Sequence, residues 1–167
     1  MNIFFLHFNP KICSKMHVDK HVIKMILETC QLLCSAHYFF KTEYQPPYKL
    51  THKNHPSSLW TRESLDNYDW LCELGLELCK EYTYRYRKIH KCEKYIYELK
   101  ENKPCIKSIG FTKPKLAMPD MYKSDDAIDS YRQYYFFEKM SLHSWKGKYE
   151  GREKPLWIKE LYSLFED

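Results

Sequence analysis

Four residues within nine positions, Lys20, His21, Lys24 and Glu28, are of the types needed for amine or acid–base chemistry. Lys24 lies one helical turn from Lys20 and one turn from Glu28. A lysine beside a like charge, and shielded from water, gives up its proton more readily and becomes a nucleophile or base. A glutamate or histidine one turn away moves protons for it. Lys24 and Lys20 are therefore the candidate nucleophiles, with Glu28 and His21 as proton-transfer groups. A second group, His52, Asn54 and His55 in "THKNHPSSLW", stands just ahead of a helix start at Pro56. Such a terminus receives a phosphate or carboxylate. The same imidazoles, with His17 and His21, would also suit a divalent metal.

These residues need rigid elements to hold them. Over Met16–His37, His17, Lys20, His21, Lys24, Glu28, Gln31 and Ser35 share about 100° of a helical wheel. Apolar residues fill most of the remaining arc. A surface helix has a wider polar face than this, so the helix is expected to be largely surrounded, its stripe facing a pocket or a slot of solvent. Glu28 is the expected counter-charge for Lys24. A long helix from Pro56 to about Lys88 should pack against it through Trp60, Leu71, Leu74 and Leu78. Asn67 and Arg85 fall on the apolar side of that helix and need partners; Glu81, one turn before Arg85, can be one. Tyr135 and Lys139 share a face of a later helix with His143. Lys24, Glu28, His52, His55, Asn67 and Arg85 are expected to line one cavity.

The remaining elements follow from caps and periodicity. "NIFFLHF", Asn2 to Phe8, is β-prone and reads as a short strand, after which Asn9–Pro10 opens a helix. Short helices follow at "KCEKYIYELKEN", "AIDSYRQYYFFEKMSLHSW" and "PLWIKELYSLF". The loop from Lys103 to Asp125 has a length typical of functional or lid-like segments. The expected architecture is mainly α: residues 1–167 as a single α-helical domain, a bundle of about five helices with a short N-terminal strand.

Net charge is +5, which permits an anionic partner. From Lys80 to Lys115 there are eleven Lys and Arg against four Glu, interleaved with tyrosines, a mixture that suits phosphate neutralisation and base stacking. Seven cysteines without a C-x-x-C pair imply reduced thiols rather than a zinc ribbon or a disulfide framework. "NIFFLHF" is too short to span a membrane. An intracellular protein with no membrane partner is expected.

Three blocks, "DKHVIKMILETCQLLCSAH", "THKNHPSSLWTRESLDNYDWLCELGLELCKEYTYRY" and "LAMPDMYKSDDAIDSYRQYY", resemble a family of small proteins of giant DNA viruses and tailed phages. That family has no settled biochemical activity. The elements it shares correspond here to Asp19, Lys20, His21, Lys24, Glu28, His52, Asn54, His55 and Pro56. The resemblance implies a viral setting, in the host cytoplasm or a virus factory.

Three functions fit these features. The first is a viral enzyme acting on nucleic acid or nucleotides, a DNA glycosylase/lyase-like protein of DNA repair, with catalytic Lys24, Lys20, Glu28 and His21. Its substrate-binding residues are His52, Asn54, His55, Asn67, Arg85, Tyr135 and Lys139, and it needs no cofactor. The second is a divalent-metal-dependent hydrolase or oxygenase using His17, His21, His52 and His55 with Glu28. The third is a non-catalytic module that binds nucleic acid or a host protein. The sequence leaves the oligomeric state open.

Overall fold

The computed structural model describes residues 1–166. Among them the protein is a mainly α-helical single domain of seven α-helices with no β-strand. The helices are α1 (Pro10–Met16), α2 (Asp19–Phe40), α3 (Pro56–Glu63), α4 (Leu65–Tyr86), α5 (Glu93–Glu101), α6 (Ala127–Glu138) and α7 (Leu156–Ser163). Helix α2 packs chiefly on α4, which also contacts α1, α3 and α5.

The count rises from five to seven because two long helices are each broken once. At His17 and Val18 the backbone turns extended, ending α1 and restarting as α2. The carbonyls freed there are taken up by side chains from elsewhere. Arg85 donates to those of Lys15 and His17, and Trp145 Nε1 donates to that of Met16. The second break is at Ser64, whose hydroxyl accepts from Asp66 N–H and caps α4. Helix α6 stops at Glu138, and Met140–Leu142 form a 3₁₀ turn rather than continuing it.

The expected strand at Asn2–Phe8 is absent. Ile3, Phe4, Phe5 and Leu6 are all buried, with no alternation of faces. A β-prone segment becomes a strand only against a partner strand, and this helical chain has none among its described residues. Side chains satisfy its backbone instead: Arg132 Nε donates to Leu6 O at 2.9 Å, and the Cys13 thiol donates to Phe4 O. The segment runs as an apolar thread through the core and carries Met1 onto the surface of α2.

Helix α2 is enclosed as its sequence implies, with Val22, Ile26, Cys30, Leu32 and Leu33 fully buried, though Ile23 stays 40% exposed. Opposite it, Trp60, Leu71, Leu74 and Leu78 are buried. Gly75 sits where α4 comes closest to its neighbours. A Cβ there would lie 3.0 Å from Thr29 of α2 and 3.0 Å from Ile96 of α5. The loop after α5 is fastened rather than free. Asn67 exchanges hydrogen bonds with Thr112, and Asp66 accepts from Ser108 and from Gly110 N–H. No helix among the described residues is long and apolar enough to cross a membrane.

Candidate functional site

The expected single cavity divides into two polar regions of opposite character. The first surrounds Arg85, which is fully buried on α4. Its guanidinium donates to Glu81, Asp19 and the carbonyls of His17 and Lys15. Glu81 also accepts from Arg152 at 2.8 Å, and Asp19 accepts from Ser144 and from Gly147 N–H. Two cations beside Glu81 hold its carboxyl below the usual range despite burial. The Arg85 guanidinium is saturated by carboxylates and carbonyls, so the group is a structural joint between α1, α2, α4 and the segment before α7. Asn67 is likewise buried, clamping Trp60 O and Thr112. Neither Arg85 nor Asn67 lines the cleft at Glu28; both are buried and engaged within the fold.

The second region is a small cleft of about 120 Å³ at the start of the chain. Met1, Asn2, His21, Lys24, Glu28 and Lys139 contribute its polar groups, and Phe4, Met25 and Tyr134 its apolar walls. Asn2 anchors the chain by donating to Ala117 O and accepting from Ile3 N–H. That anchoring sets the Met1 nitrogen 3.3 Å from the Glu28 carboxylate, with the Met1 side chain packed against the core. Glu28 therefore pairs with Met1 and not, as its spacing suggests, with Lys24. Lys24 lies exposed at the rim, and Lys20, one turn earlier, is exposed outside the lining.

His21 is stacked on Phe4, with ring centres 4.8 Å apart. Burial and the nearby cations Lys139 and Lys24 push its pKa down to about 3, so the ring is neutral at pH 7. Its Nδ1 lies 2.9 Å from Tyr135 Oη, which already accepts from Val18 N–H. Assigned from this network, the phenol donates to Nδ1, and the imidazole proton sits on Nε2. His21 is thus a neutral donor at the cleft wall rather than a base. Tyr135 is its buried support and does not reach solvent. Lys139 ends α6 and holds its ammonium 5.5 Å from the Tyr134 ring centre.

The second histidine group borders this cleft. His55 caps α3 by accepting from Ser57 N–H at its Nδ1. Burial lowers its pKa, as does the Met1 ammonium, while Glu28 opposes the shift. His52 is exposed in a left-handed conformation (φ 47°), and Asn54 is exposed beside it. The imidazoles do not assemble as metal ligands. His17 Nδ1 is bonded to Cys13 O and His21 Nδ1 to Tyr135, and among the described residues no three His, Cys, Asp or Glu side chains are arranged to hold an ion. The basic segment from Lys80 to Lys115 also loses much of its free charge. Lys80, Arg85, Arg87, Lys100, Lys103 and Lys115 are each paired with a carboxylate.

The feature missed in the sequence is the approach of Met1 to Glu28, since nothing in the spacing of residues 16–37 records it.

Fold and site together define an α-helical protein with an amine–carboxylate cleft. No family model matches the chain, nor does any curated protein or solved structure.

Proposed function

We propose that the chain is a DNA glycosylase/lyase-like enzyme whose nucleophile is the Lys24 amine, with Glu28 as its proton-transfer partner. The observation that carries this reading is the convergence of His21, Lys24, Glu28 and Lys139 on one cleft. The cleft is too small for a whole nucleoside and admits the edge of a sugar. The resemblance to proteins of DNA viruses and phages supports a nucleic-acid substrate.

The amine lone pair attacks C1′ of a deoxyribose. The C1′–N bond to the base breaks, and the base leaves with the electron pair, taking a proton from solvent. Glu28 accepts the proton lost by the attacking nitrogen and gives it to O4′ as the C1′–O4′ bond opens to an imine. Transfer of a C2′ proton to the Glu28 carboxylate breaks the C3′–O bond and expels the 3′ phosphate, and water hydrolyses the imine to return the amine. Lys139 holds a phosphate, and His21 Nε2–H donates a hydrogen bond to the reacting nucleotide.

Borohydride reduces such an imine to a stable amine, joining protein and DNA. With abasic-site DNA, the adduct should map to Lys24 by peptide mass, vanish in Lys24→Ala and persist in Lys20→Ala. An adduct on another amine would reassign the nucleophile. No adduct on abasic or damaged DNA would end the glycosylase–lyase reading.

A further inference from the structure

Away from the cleft, the cysteines are free thiols, and three of them meet. Cys30 and Cys34 lie one turn apart on α2, and Cys92 stands at the start of α5; all three are fully buried. The Cys30 thiol sits between the other two, within hydrogen-bonding reach of both. Helices α2 and α5 pack against each other, so the Cys30–Cys92 pair bridges two elements. The Cys30–Cys34 pair stays within one.

The three thiols are not equivalent. Tyr48 Oη lies 3.3 Å from the Cys92 sulfur, and a phenol is the stronger donor of the two. His90 stands beside the same sulfur, its ring held by the Cys92 N–H, which donates to His90 Nδ1 at 3.1 Å. The Cys30 S–H, His90 and Tyr48 together hold the Cys92 thiol below the ordinary range, against the burial that opposes them. Elsewhere burial wins. It pushes Cys13 up to about 11, and raises Cys72 and Cys79 as well. Cys34 is lowered too, by Cys30 first. One S–H cannot serve two anions, however, and Cys92 has two side-chain donors besides. Tyr48 and His90 are only half-buried, so the Cys92 sulfur lies one layer of side chains below the surface.

We propose that Cys92 and Cys30 form a peroxide-reactive pair, oxidised to a disulfide that staples α2 to α5. The Cys92 sulfur attacks one oxygen of a hydroperoxide, and the O–O bond breaks. The other oxygen leaves with the electron pair and takes up the thiol's proton, and Cys92 becomes a sulfenic acid. The Cys30 sulfur then attacks the Cys92 sulfur, and hydroxide leaves with the Cys30 proton as water. Each sulfur has lost one electron, and the peroxide has gained two. The bridge closes residues 31–91 into a covalent loop, which restricts the unfolded chain and stabilises the fold.

The test uses the full chain, fully reduced and then exposed to excess hydrogen peroxide at pH 7. Unreacted thiols are alkylated in denaturant, and the products are mapped by peptide mass. One bridge is expected, between the Cys30 and Cys92 peptides. Cys92 should be consumed about tenfold faster than Cys105, which is exposed. The oxidised chain should melt roughly 5–10 °C above the reduced one, and dithiothreitol should reverse the shift. In Cys30→Ala, dimedone should capture a sulfenic acid at Cys92, and Cys92→Ala should abolish the bridge. Circular dichroism identifies a variant that has lost its helices, and the wild-type map stands independently of both variants. A Cys30–Cys34 bridge, oxidation confined to Cys105, or a Cys92 thiol that survives peroxide overturns the pair.

Discussion

The Arg85 joint and the Met1 cleft are built from the same materials, cations set against carboxylates, yet they differ in what is left over. Around Arg85, the guanidinium, Glu81, Asp19 and Arg152 use their hydrogen-bonding capacity on one another and on backbone carbonyls. Around Met1, one amine meets one carboxylate, while Lys24 and Lys139 face open space. A saturated buried network holds elements together, and breaking it strands a charge away from water. An unsaturated group of charges at a cleft has its capacity free for a ligand. Sorting polar groups by remaining capacity, rather than by residue type, separates structure from chemistry here.

Substitutions can break that distinction. The largest effect is expected from Arg85→Met, which leaves Glu81 and Asp19 without their buried partner. Urea unfolding should show a loss of about 3–5 kcal/mol, with trapping on abasic DNA intact wherever the variant is folded. The reverse pattern is expected for Glu28→Gln. The rate of imine trapping should fall by about a hundredfold, while stability changes by less than about 1 kcal/mol. A Glu28 variant that unfolds while retaining trapping would erase the contrast between the two regions.

Acid sharpens the comparison, because one buried histidine belongs to each side. His17, whose carbonyl serves Arg85, has its pKa pushed down by burial to about 4, and that of His21, at the cleft, is lowered to about 3. Both are neutral when folded and take up protons more readily when unfolded. Their contribution is complete above pH 6.5 and is lost as the pH falls from there toward 4 and 3. Each unit in this window costs about 1.4 kcal/mol per imidazole. Folding stability at pH 5.5 should therefore be roughly 3 kcal/mol below that at pH 7.5, with His17→Gln removing part of the slope. A stability profile flat between pH 7.5 and 5 would contradict both assignments. The smallest effect is at the rim. Lys24→Ala should reduce the slope of log affinity against log salt by about 1 and leave unfolding unchanged. Lys20→Ala, outside the lining, should do less.

The helical class, the enclosure of α2 and the Glu81–Arg85 pair were legible in the sequence, because each depends on local spacing along one helix. Asn9–Pro10 and the polar cluster at His17 also point to a break near His17, but its partners and the break at Ser64 were not legible. The break near His17 is stabilised by Arg85 and Trp145, dozens of residues away, and periodicity carries no record of such partners. Asn2–Phe8 misled for a related reason: β-propensity describes a surface that suits a neighbouring strand, and none was there to meet it. In the cleft, His21, Lys24, Glu28 and Lys139 were identifiable as residues. The partner of Glu28 was not, because helical spacing points to Lys24 while the tertiary fold delivers the chain's own first residue. Arg85 and Asn67 looked like site residues because a polar group on an apolar face signals a need for partners without saying whether those are internal.

Gly75 is a spacer whose effect reaches beyond its own helix. Its missing side chain lets α4 touch Thr29 and Ile96 at once, so α2, α4 and α5 meet there without clearance. Thr29 directly follows Glu28. A methyl group at position 75 would have to displace Thr29 or Ile96 by a few tenths of an ångström. A shift of Thr29 would be passed along the rigid turn of α2 to the carboxylate opposite Met1. The glycine thus acts as a gauge block: the thickness of a single hydrogen atom in the core sets the gap between acid and amine at the surface.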